Sequence, residues 1–350
     1  MAGPLHVPVL PTRPHAADAY RRLHPDVQRA VAPLWTLPPH AGLPPSALAV
    51  ALEKDLAVVA QVQRYSPAWF DAPFAEETQT GAIASILRKA AATGPLRLVT
   101  GPGRPLAQQV SALETALRSG NGNGIGVRVR VPGEWDFAVT EQVRDLLARA
   151  GPTLRVDLLL DMAGVLADRP DAGKEALRAL DALVPLAPWR TVATIAGGVR
   201  PATLDMVDPG LREEPRTDWE MWREVADSGR AYLPLLTYGD YGVLSAAALA
   251  RDARSGKGGP PWGVLRYTTE RSHVLVKTLA KGEGHIAHNR AAAQQLTALP
   301  DFRGAVAGAA EVWLRDCASG VGGTGNFGTW NWVGNAQHMT YVVNSLRFEQ

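Results

Sequence analysis

Short apolar runs alternate with longer amphipathic segments over the first two thirds of the chain. Alternation of this kind is typical of βα units that build a parallel sheet. Eight runs have the length and composition of strands. They are HVPVLP (His6 to Pro11), VAPLWTLP (Val31 to Pro38), AWFDA (Ala68 to Ala72), LRLVTG (Leu96 to Gly101), GVRVRV (Gly126 to Val131), RVDLLLDM (Arg155 to Met162), TVATIAGG (Thr191 to Gly198) and AYLPLLTYGDYG (Ala231 to Gly242).

The segments between these runs carry the spacing of amphipathic helices. Ile83, Ile86, Leu87 and Ala90 share one helical face, and glycine or proline closes most of the segments. Eight βα units within about 240 residues match the count and size of a TIM-type (β/α)8 barrel. The predicted fold class is therefore α/β. A doubly wound open sheet is the alternative, and the number of units argues against it.

The alternation ends after the eighth run. RDARSGKGGPP (Arg251 to Pro261) reads as a connection, and VLRYTT with HVLVKTLA predicts a β-hairpin. A helix is expected over Ile286 to Leu299, and a glycine- and tryptophan-rich segment ends in a predicted strand. We therefore expect a barrel over 1–250 and a C-terminal α+β extension over 251–350 that packs on it.

Composition adds few constraints on function. The chain has 46% hydrophobic residues, enough for a large core, and a formal net charge of +2 from 36 basic and 34 acidic residues. These charges are spread along the chain and do not indicate a nucleic-acid partner. The single cysteine, Cys317, excludes an intrachain disulfide framework, and no apolar run approaches the roughly 18 residues of a membrane span. We expect a soluble, cytoplasmic protein without a membrane partner.

Alternate side chains of a barrel strand face the interior, and those at the C-terminal ends of the strands form the mouth. In GVRVRV the valines are expected to face the helices, which leaves Arg128 and Arg130 inward. The same reasoning places Asp157 and Asp161 inward in the sixth run, and Tyr238 and Asp240 inward in the eighth.

The third run adds Asp71, so the mouth is expected to gather Arg130, Asp71, Asp161 and Asp240. Buried charges must be paired, solvated or bound to metal, because leaving them unpaired is costly. One interpretation is a salt-bridge network in which Arg130 and Arg266 neutralise the aspartates. The other is a site for an anionic or phosphorylated ligand.

Two further patterns favour a ligand site. Asp71, Asp161 and Asp240 would offer the oxygen ligands that magnesium or manganese prefers. Gly197 and Gly198 follow the seventh strand, where backbone amides in barrels often bind phosphate, although a simple turn is the alternative. No lysine lies at a strand end and no G-x-S-x-G occurs, which argues against a Schiff-base aldolase and a serine hydrolase.

A series of short motifs resembles the bacteriophage-type beta protein family over nearly the whole chain. In order they are HVPVL, VAPLWTLPP, WFDAP, VRVRV, LLLDM, YGDYGV, LRYTT and TWNWVGNAQHMTYVV. The most specific are Tyr238 to Val243, the triplet Arg266 to Thr268, and a tryptophan, Trp330 or Trp332, followed by His338.

The resemblance implies a barrel-like domain, often encoded near phage, mobile-element or defence genes. The positions of the family pattern that match are Asp71, Arg130, Asp161, Asp240 and Arg266. The chain departs from the pattern at the end of the first strand, where relatives have a Lys-x-Gly-Glu-like stretch and this chain has Thr12 to His15. It departs again in the second strand, where Thr36 replaces a glutamate.

These observations support two hypotheses. In the first, Arg130 and Arg266 bind an anion at the C-terminal rim with Gly197, Gly198, Tyr238 and His338. Asp71, Asp161 and Asp240 then hold a divalent cation or act as acid and base, as in a metal-dependent phosphoester hydrolase or transferase. In the second, the protein is a non-catalytic binding or assembly protein of a phage or defence system, with Trp330 and Trp332 as its protein interface.

Overall fold

Eight parallel strands close into a barrel in the computed structural model, which describes residues 3–119, 122–208, 210–251 and 260–348. Each strand pairs with the next, and the last pairs with the first through the register His6↔Tyr238. The TIM-type (β/α)8 fold is thereby confirmed. The barrel strands are β1 (His6–Pro11), β2 (Leu34–Thr36), β3 (Ala68–Asp71), β4 (Leu96–Thr100), β5 (Ile125–Arg130), β6 (Val156–Gly164), β7 (Val192–Gly197) and β9 (Leu236–Asp240).

The eight strands lie within the eight predicted runs, apart from differences of one or two residues at the ends. The largest change is at the start of β9, which was expected from Ala231. Pro234 lies in a 3-10 turn, Leu233–Leu235, just before the strand. Because proline fixes φ and has no N–H, it does not extend the ladder there.

Helices follow the strands and cover the outside of the barrel. They are α1 (Pro14–Arg21), α2 (Pro25–Ala30), α3 (Pro45–Val62), α4 (Thr80–Ala91), α5 (Leu106–Arg118), α6 (Phe137–Ala150), α7 (Ala172–Leu183), α8 (Leu204–Val207) and α9 (Thr217–Ala226), and after the barrel α10 (His285–Thr297), α11 (Ala309–Ala318) and α12 (Phe327–Phe348). Proline at the first helical position begins α1, α2 and α3, where the missing N–H costs nothing. The predicted apolar face of α4 is buried.

The barrel interior is filled by side chains. Val7, Val9, Leu34, Trp69, Val99, Leu159, Ala193 and Ile195 form one buried cluster there. Gly126 supplies the space for the largest of them, because a Cβ at this position would lie 2.9 Å from Cδ1 of Trp69. This middle layer closes the barrel below its mouth.

A second, three-stranded sheet lies outside the barrel. The predicted hairpin is confirmed as β10 (Trp262–Thr268) and β11 (Ser272–Leu279), which pair antiparallel. β11 also pairs with β8 (Leu211–Pro215), a strand that was not expected because its sequence, LREEP, is largely charged. The division of the chain at residue 250 stays a prediction, since β8 precedes that boundary and its partner follows it.

The strand expected at the C-terminus is wrong, because the segment forms the helix α12. The β-branched and aromatic residues suggested a strand, but α12 packs against α1, α11 and β10, and this packing buries every residue of the helix from Trp332 to Thr340. The helix predicted over Ile286 to Leu299 is confirmed as α10, with its ends shifted by one and two residues. Among the described residues, every helix is too short or too polar to cross a lipid bilayer.

Candidate functional site

A cavity of about 530 Å³ occupies the mouth at the C-terminal ends of the strands. This is the end of a (β/α)8 barrel at which ligands bind. Its lining comes from the C-terminal ends of six strands and the loops that follow them, and includes Phe74, Arg104, Arg130, Asp161, Val199 and Tyr241. Its volume lies within the range of small-molecule sites, about 300 to 1,000 Å³.

Arg128 of β5 holds the charged side chains at the floor of this cavity. Its Nη1 donates to Asp71 Oδ2 over 2.7 Å, its Nε donates to Asp161 Oδ2 over 3.0 Å, and its Nη2 donates to the Tyr241 hydroxyl over 2.9 Å. Arg104 donates a further pair of bonds to Asp71, at 2.9 and 3.1 Å. Both carboxylates are therefore paired with arginine.

These contacts fix the protonation states of the floor. Burial alone would raise the pKa of Asp161, but Arg128, the Tyr241 hydroxyl and the Ala163 amide together hold this pKa below its ordinary value. Burial and the neighbouring Asp161 carboxylate raise the pKa of Tyr241. Asp161 is consequently ionised and Tyr241 neutral throughout the neutral pH range.

Arg130 occupies a different position from the one expected. It was predicted to neutralise the aspartates, but Arg128, two residues earlier on the same face, takes that role. Arg130 is exposed at the end of β5 and lines the cavity. Within the described residues it has no ion pair. Arg128 was correctly predicted on the interior face of β5. The sequence did not show that Arg128, and not Arg130, lies at the same depth in the barrel as the aspartates.

The predicted convergence of Asp240 with Asp71 and Asp161 is wrong. Asp240 faces outward, toward α12, and bonds to His6 and His338. The inward residue of this segment is Tyr241, whose hydroxyl reaches Asp161 over 2.6 Å. Gly239 also faces the interior, because a Cβ there would lie 2.7 Å from Cγ1 of Ile195. The three-aspartate magnesium or manganese site consequently does not form.

Asp240 instead belongs to a buried cluster between the barrel and α12. His6 Nε2 and His338 Nε2 lie 2.9 and 2.8 Å from the same oxygen, Asp240 Oδ2, and the Gly242 amide donates to Oδ1 over 2.8 Å. Burial would raise the pKa of Asp240, but the two imidazoles hold it well below its ordinary value. His338 was predicted as a site residue, whereas His6 was missed. Strand alternation could have identified His6, because it places His6 on the opposite face of β1 from Val7 and Val9.

Tyr238 lies in the same outer layer and not in the mouth. Its ring packs edge-on against Trp219 and Trp222 of α9, and its hydroxyl donates to Asp218 Oδ2 over 2.7 Å. Burial, Asp218 and Asp240 raise its pKa well above the ordinary value. The expected contact of Tyr238 with a ligand at the rim is therefore wrong. As with Asp240, the outer face of β9 was taken for its interior face.

Gly197 and Gly198 do not line the mouth cavity. Both are buried, and a Cβ on Gly198 would lie 2.1 Å from Oδ1 of Asp218. The next helix, α8, has only four residues, so no long helix presents its amides here. Gly198 leaves room for the close approach of Asp218, a role that neither the phosphate nor the turn interpretation of this glycine pair predicted.

Arg266 lines a neighbouring cavity of about 250 Å³ together with Arg200, Trp262 and Asn331. The two cavities share Pro201 and Ser245. Burial lowers the pKa of Arg266 to about 10, and its Nε has no hydrogen-bond partner among the described residues. Arg266 is thus separate from Arg128 and the aspartates, and it does not neutralise them.

The tryptophans predicted as a protein interface are in the core. Trp330 and Trp332 are 1% and 8% exposed. The Trp330 indole donates to the Thr324 carbonyl over 3.0 Å and packs on Gly263, and Trp332 packs against Trp313 and Arg22. The interface hypothesis required exposed rings, so these two residues do not support it.

Comparisons with known proteins identify the family. A family model described as "Beta protein" matches residues 6–344. No curated protein matches the sequence. Matching solved structures include two mutants of the tryptophan synthase alpha-subunit from the hyperthermophile Pyrococcus furiosus, at 12% and 13% identity and TM-scores of 0.43 and 0.42. These alignments cover 69% and 70% of this chain and 87% and 88% of theirs. Because the family model spans nearly the whole sequence, the chain belongs to the Beta protein family.

Proposed function

We propose that the protein binds an anionic small molecule in the mouth cavity and that Arg130 is the cation that meets it. The observation that carries the proposal is the position of Arg130: it is exposed, lines the cavity and has no ion pair within the described residues. A guanidinium in this position can bind a carboxylate or phosphate through two parallel hydrogen bonds.

The charge balance of the mouth supports an anion. Arg104, Arg128 and Arg130 carry three positive charges, whereas Asp71 and Asp161 carry two negative charges. The two aspartates are already satisfied by Arg104 and Arg128. The remaining positive charge is the one at the solvent-facing end of β5, where an incoming ligand arrives first.

The same geometry favours binding over metal-dependent catalysis. A magnesium-dependent hydrolase or transferase needs carboxylates free to coordinate the ion. Asp71 and Asp161 are held by arginines, and Asp240 is in another cluster. An acid–base catalyst works best with a pKa near the working pH, and the shifts at Asp161 and Tyr241 run away from neutrality. The proposed function is therefore recognition of the anion.

The experiment compares anion binding by the wild type and Arg130→Gln. Inorganic phosphate, pyrophosphate and a nucleoside triphosphate are the probes, with binding measured by calorimetry and by the rise in melting temperature. Loss of a charge-assisted contact is expected to weaken binding about 10-fold or more, since each 1.4 kcal/mol is a factor of 10.

Arg118→Gln is the matched control. Arg118 is the last residue of α5, which runs antiparallel to the strands, so it lies at the opposite end of the barrel, and its side chain is 68% exposed. The substitution removes the same charge and should leave binding unchanged. Equal weakening by the two substitutions, or equal affinity of Arg130→Gln and the wild type for every bound probe, would contradict the proposal.

A further inference from the structure

The cluster of His6, Asp240 and His338 joins three parts of the chain that are far apart in sequence. His6 is on the first barrel strand, Asp240 on the last barrel strand, and His338 on the last helix. The side chains are 0%, 1% and 0% exposed. The cluster thus lies at the seam where the barrel closes, under α12.

The three donor atoms lie close together. Both imidazoles present Nε2 to the same oxygen, Asp240 Oδ2, at 2.9 and 2.8 Å, and the three ligand atoms lie within 4.8 Å of one another. A tetrahedral ion about 2.0 to 2.1 Å from each donor separates the donors by about 3.3 Å. Coordination would lengthen the two imidazole–carboxylate separations by about 0.4 to 0.5 Å and would bring the two Nε2 atoms, which lie within 4.8 Å of each other, to the same spacing.

Neighbouring groups hold two of the ligands in this orientation. The Thr268 hydroxyl lies 2.9 Å from Nδ1 of His338, which leaves Nε2 of this ring for the cluster. The Gly242 amide occupies Asp240 Oδ1, which directs Oδ2 toward the imidazoles. Support of this kind from outside the ligand set is usual around protein metal ions.

The cluster also needs positive charge. A buried carboxylate is stable only with a partner that compensates its charge, and the side chains that bond to Asp240 among the described residues are the two imidazoles. A protonated imidazole would supply this charge from one of the two rings, whereas a divalent cation supplies it and uses all three donors at once.

We propose that His6, Asp240 and His338 bind a divalent transition-metal ion of the zinc type, which fastens α12 to the seam of the barrel. Imidazole nitrogen favours zinc, iron, nickel or copper over magnesium. Three protein ligands leave one of the four tetrahedral positions to a water molecule, and the complete burial of the ligands closes that position to substrate, so the role we propose for the ion is structural. The site is separate from the mouth cavity, so the proposal is independent of the proposed anion binding.

The first test uses the wild-type chain. Metal content is measured by mass spectrometry after purification, then after dialysis against a chelator and after addition of Zn²⁺, Co²⁺ or Mg²⁺. We expect about one zinc-type ion per chain, a lower melting temperature after chelation that Zn²⁺ restores and Mg²⁺ does not, and visible Co²⁺ absorption bands typical of nitrogen and oxygen ligands.

The second test uses His338→Gln and Asp240→Asn, with His40→Gln as the matched control. His40 also bonds to a buried carboxylate, Asp55, at 2.9 Å, but as a pair that has no third ligand among the described residues. The first two variants should lose at least about nine tenths of the metal, whereas His40→Gln should retain it. If a variant does not fold, the wild-type Co²⁺ spectrum still decides. A wild type that binds neither Zn²⁺ nor Co²⁺, or variants that keep full metal content, would overturn the proposal.

Discussion

Arg128 determines the charge state of the barrel floor at the scale of a single residue. It donates to Asp71, Asp161 and the Tyr241 hydroxyl while its side chain is only 6% exposed. Buried carboxylates that lose their partner cost far more free energy than the pairing itself contributes. Arg130, two positions along the same strand, has no such partners within the described residues. Substitution of each arginine therefore compares the stability contributed by a buried, paired guanidinium with that of an exposed one.

We expect Arg128→Met to lower the free energy of unfolding by about 3 to 5 kcal/mol, because the buried Asp161 loses its arginine partner and Asp71 keeps only Arg104. Arg130→Met, measured without ligand, should change it by less than about 0.5 kcal/mol, since the side chain is exposed. Denaturant unfolding at pH 7 gives both values. Similar losses for the two variants would show that Arg128 does not hold the floor.

Strand β5 illustrates packing at the scale of an element. Its interior face carries Gly126 below Arg128, and Trp69 of β3 fills the space that this glycine leaves. A Cβ at Gly126 would meet Trp69, Leu159 and Val99 at 2.9, 3.1 and 3.2 Å. Gly81 of α4 is the opposite case, because a Cβ there would have nothing within 4 Å.

Alanine substitutions at these two glycines should change the free energy of unfolding in opposite directions. Gly126→Ala overfills the barrel interior and is expected to cost about 1 to 3 kcal/mol of unfolding free energy. Gly81 is an exposed residue near the start of α4, and glycine is a poor helix former. Gly81→Ala is therefore expected to raise the free energy of unfolding by up to about 1 kcal/mol. Thermal and denaturant unfolding measure both. Stabilisation by Gly126→Ala would show that Trp69 does not occupy the space beside it.

At the scale of the whole molecule, the C-terminal third contacts the barrel at several places. β8 pairs with β11, α12 packs on α1 and also contacts β1, and His338 reaches His6 and Asp240 through the same layer. A chain cut after residue 250 would leave β8 without its partner strand. It would also expose the outer faces of β1 and β9, which carry buried polar groups.

We therefore expect a fragment of residues 1–250 to lack a cooperative unfolding transition, although it contains every barrel strand. Circular dichroism and calorimetry would test this, with the full chain as reference. Addition of a separately produced 251–350 fragment should restore cooperative unfolding if the missing contacts are the cause. A 1–250 fragment that unfolds cooperatively near the transition of the full chain would show that the barrel is an independent domain.

Much of the fold was predictable because its signals are local. The eight barrel strands, the hairpin and the helix after it each follow from short-range periodicity, and parallel strands joined by helices leave few ways to close a sheet. Part of the site was predictable for the same reason. Arg128 and Asp161 were correctly placed on interior faces by counting alternate residues along regular strands, and Asp71 was correctly expected in the interior with them.

The sequence by itself determined the number of barrel strands, the βα order and the polar character of the mouth. Only the tertiary structure decided which residues of β9 face the barrel interior. Gly239 has no side chain to mark the interior, and Tyr238 and Tyr241 are compatible with either face. The tertiary structure also decided that the C-terminal segment is a helix, because burial against α1 and β10 outweighs β propensity. Such choices depend on contacts between residues as distant as His6, Asp240 and His338, and no local pattern encodes them.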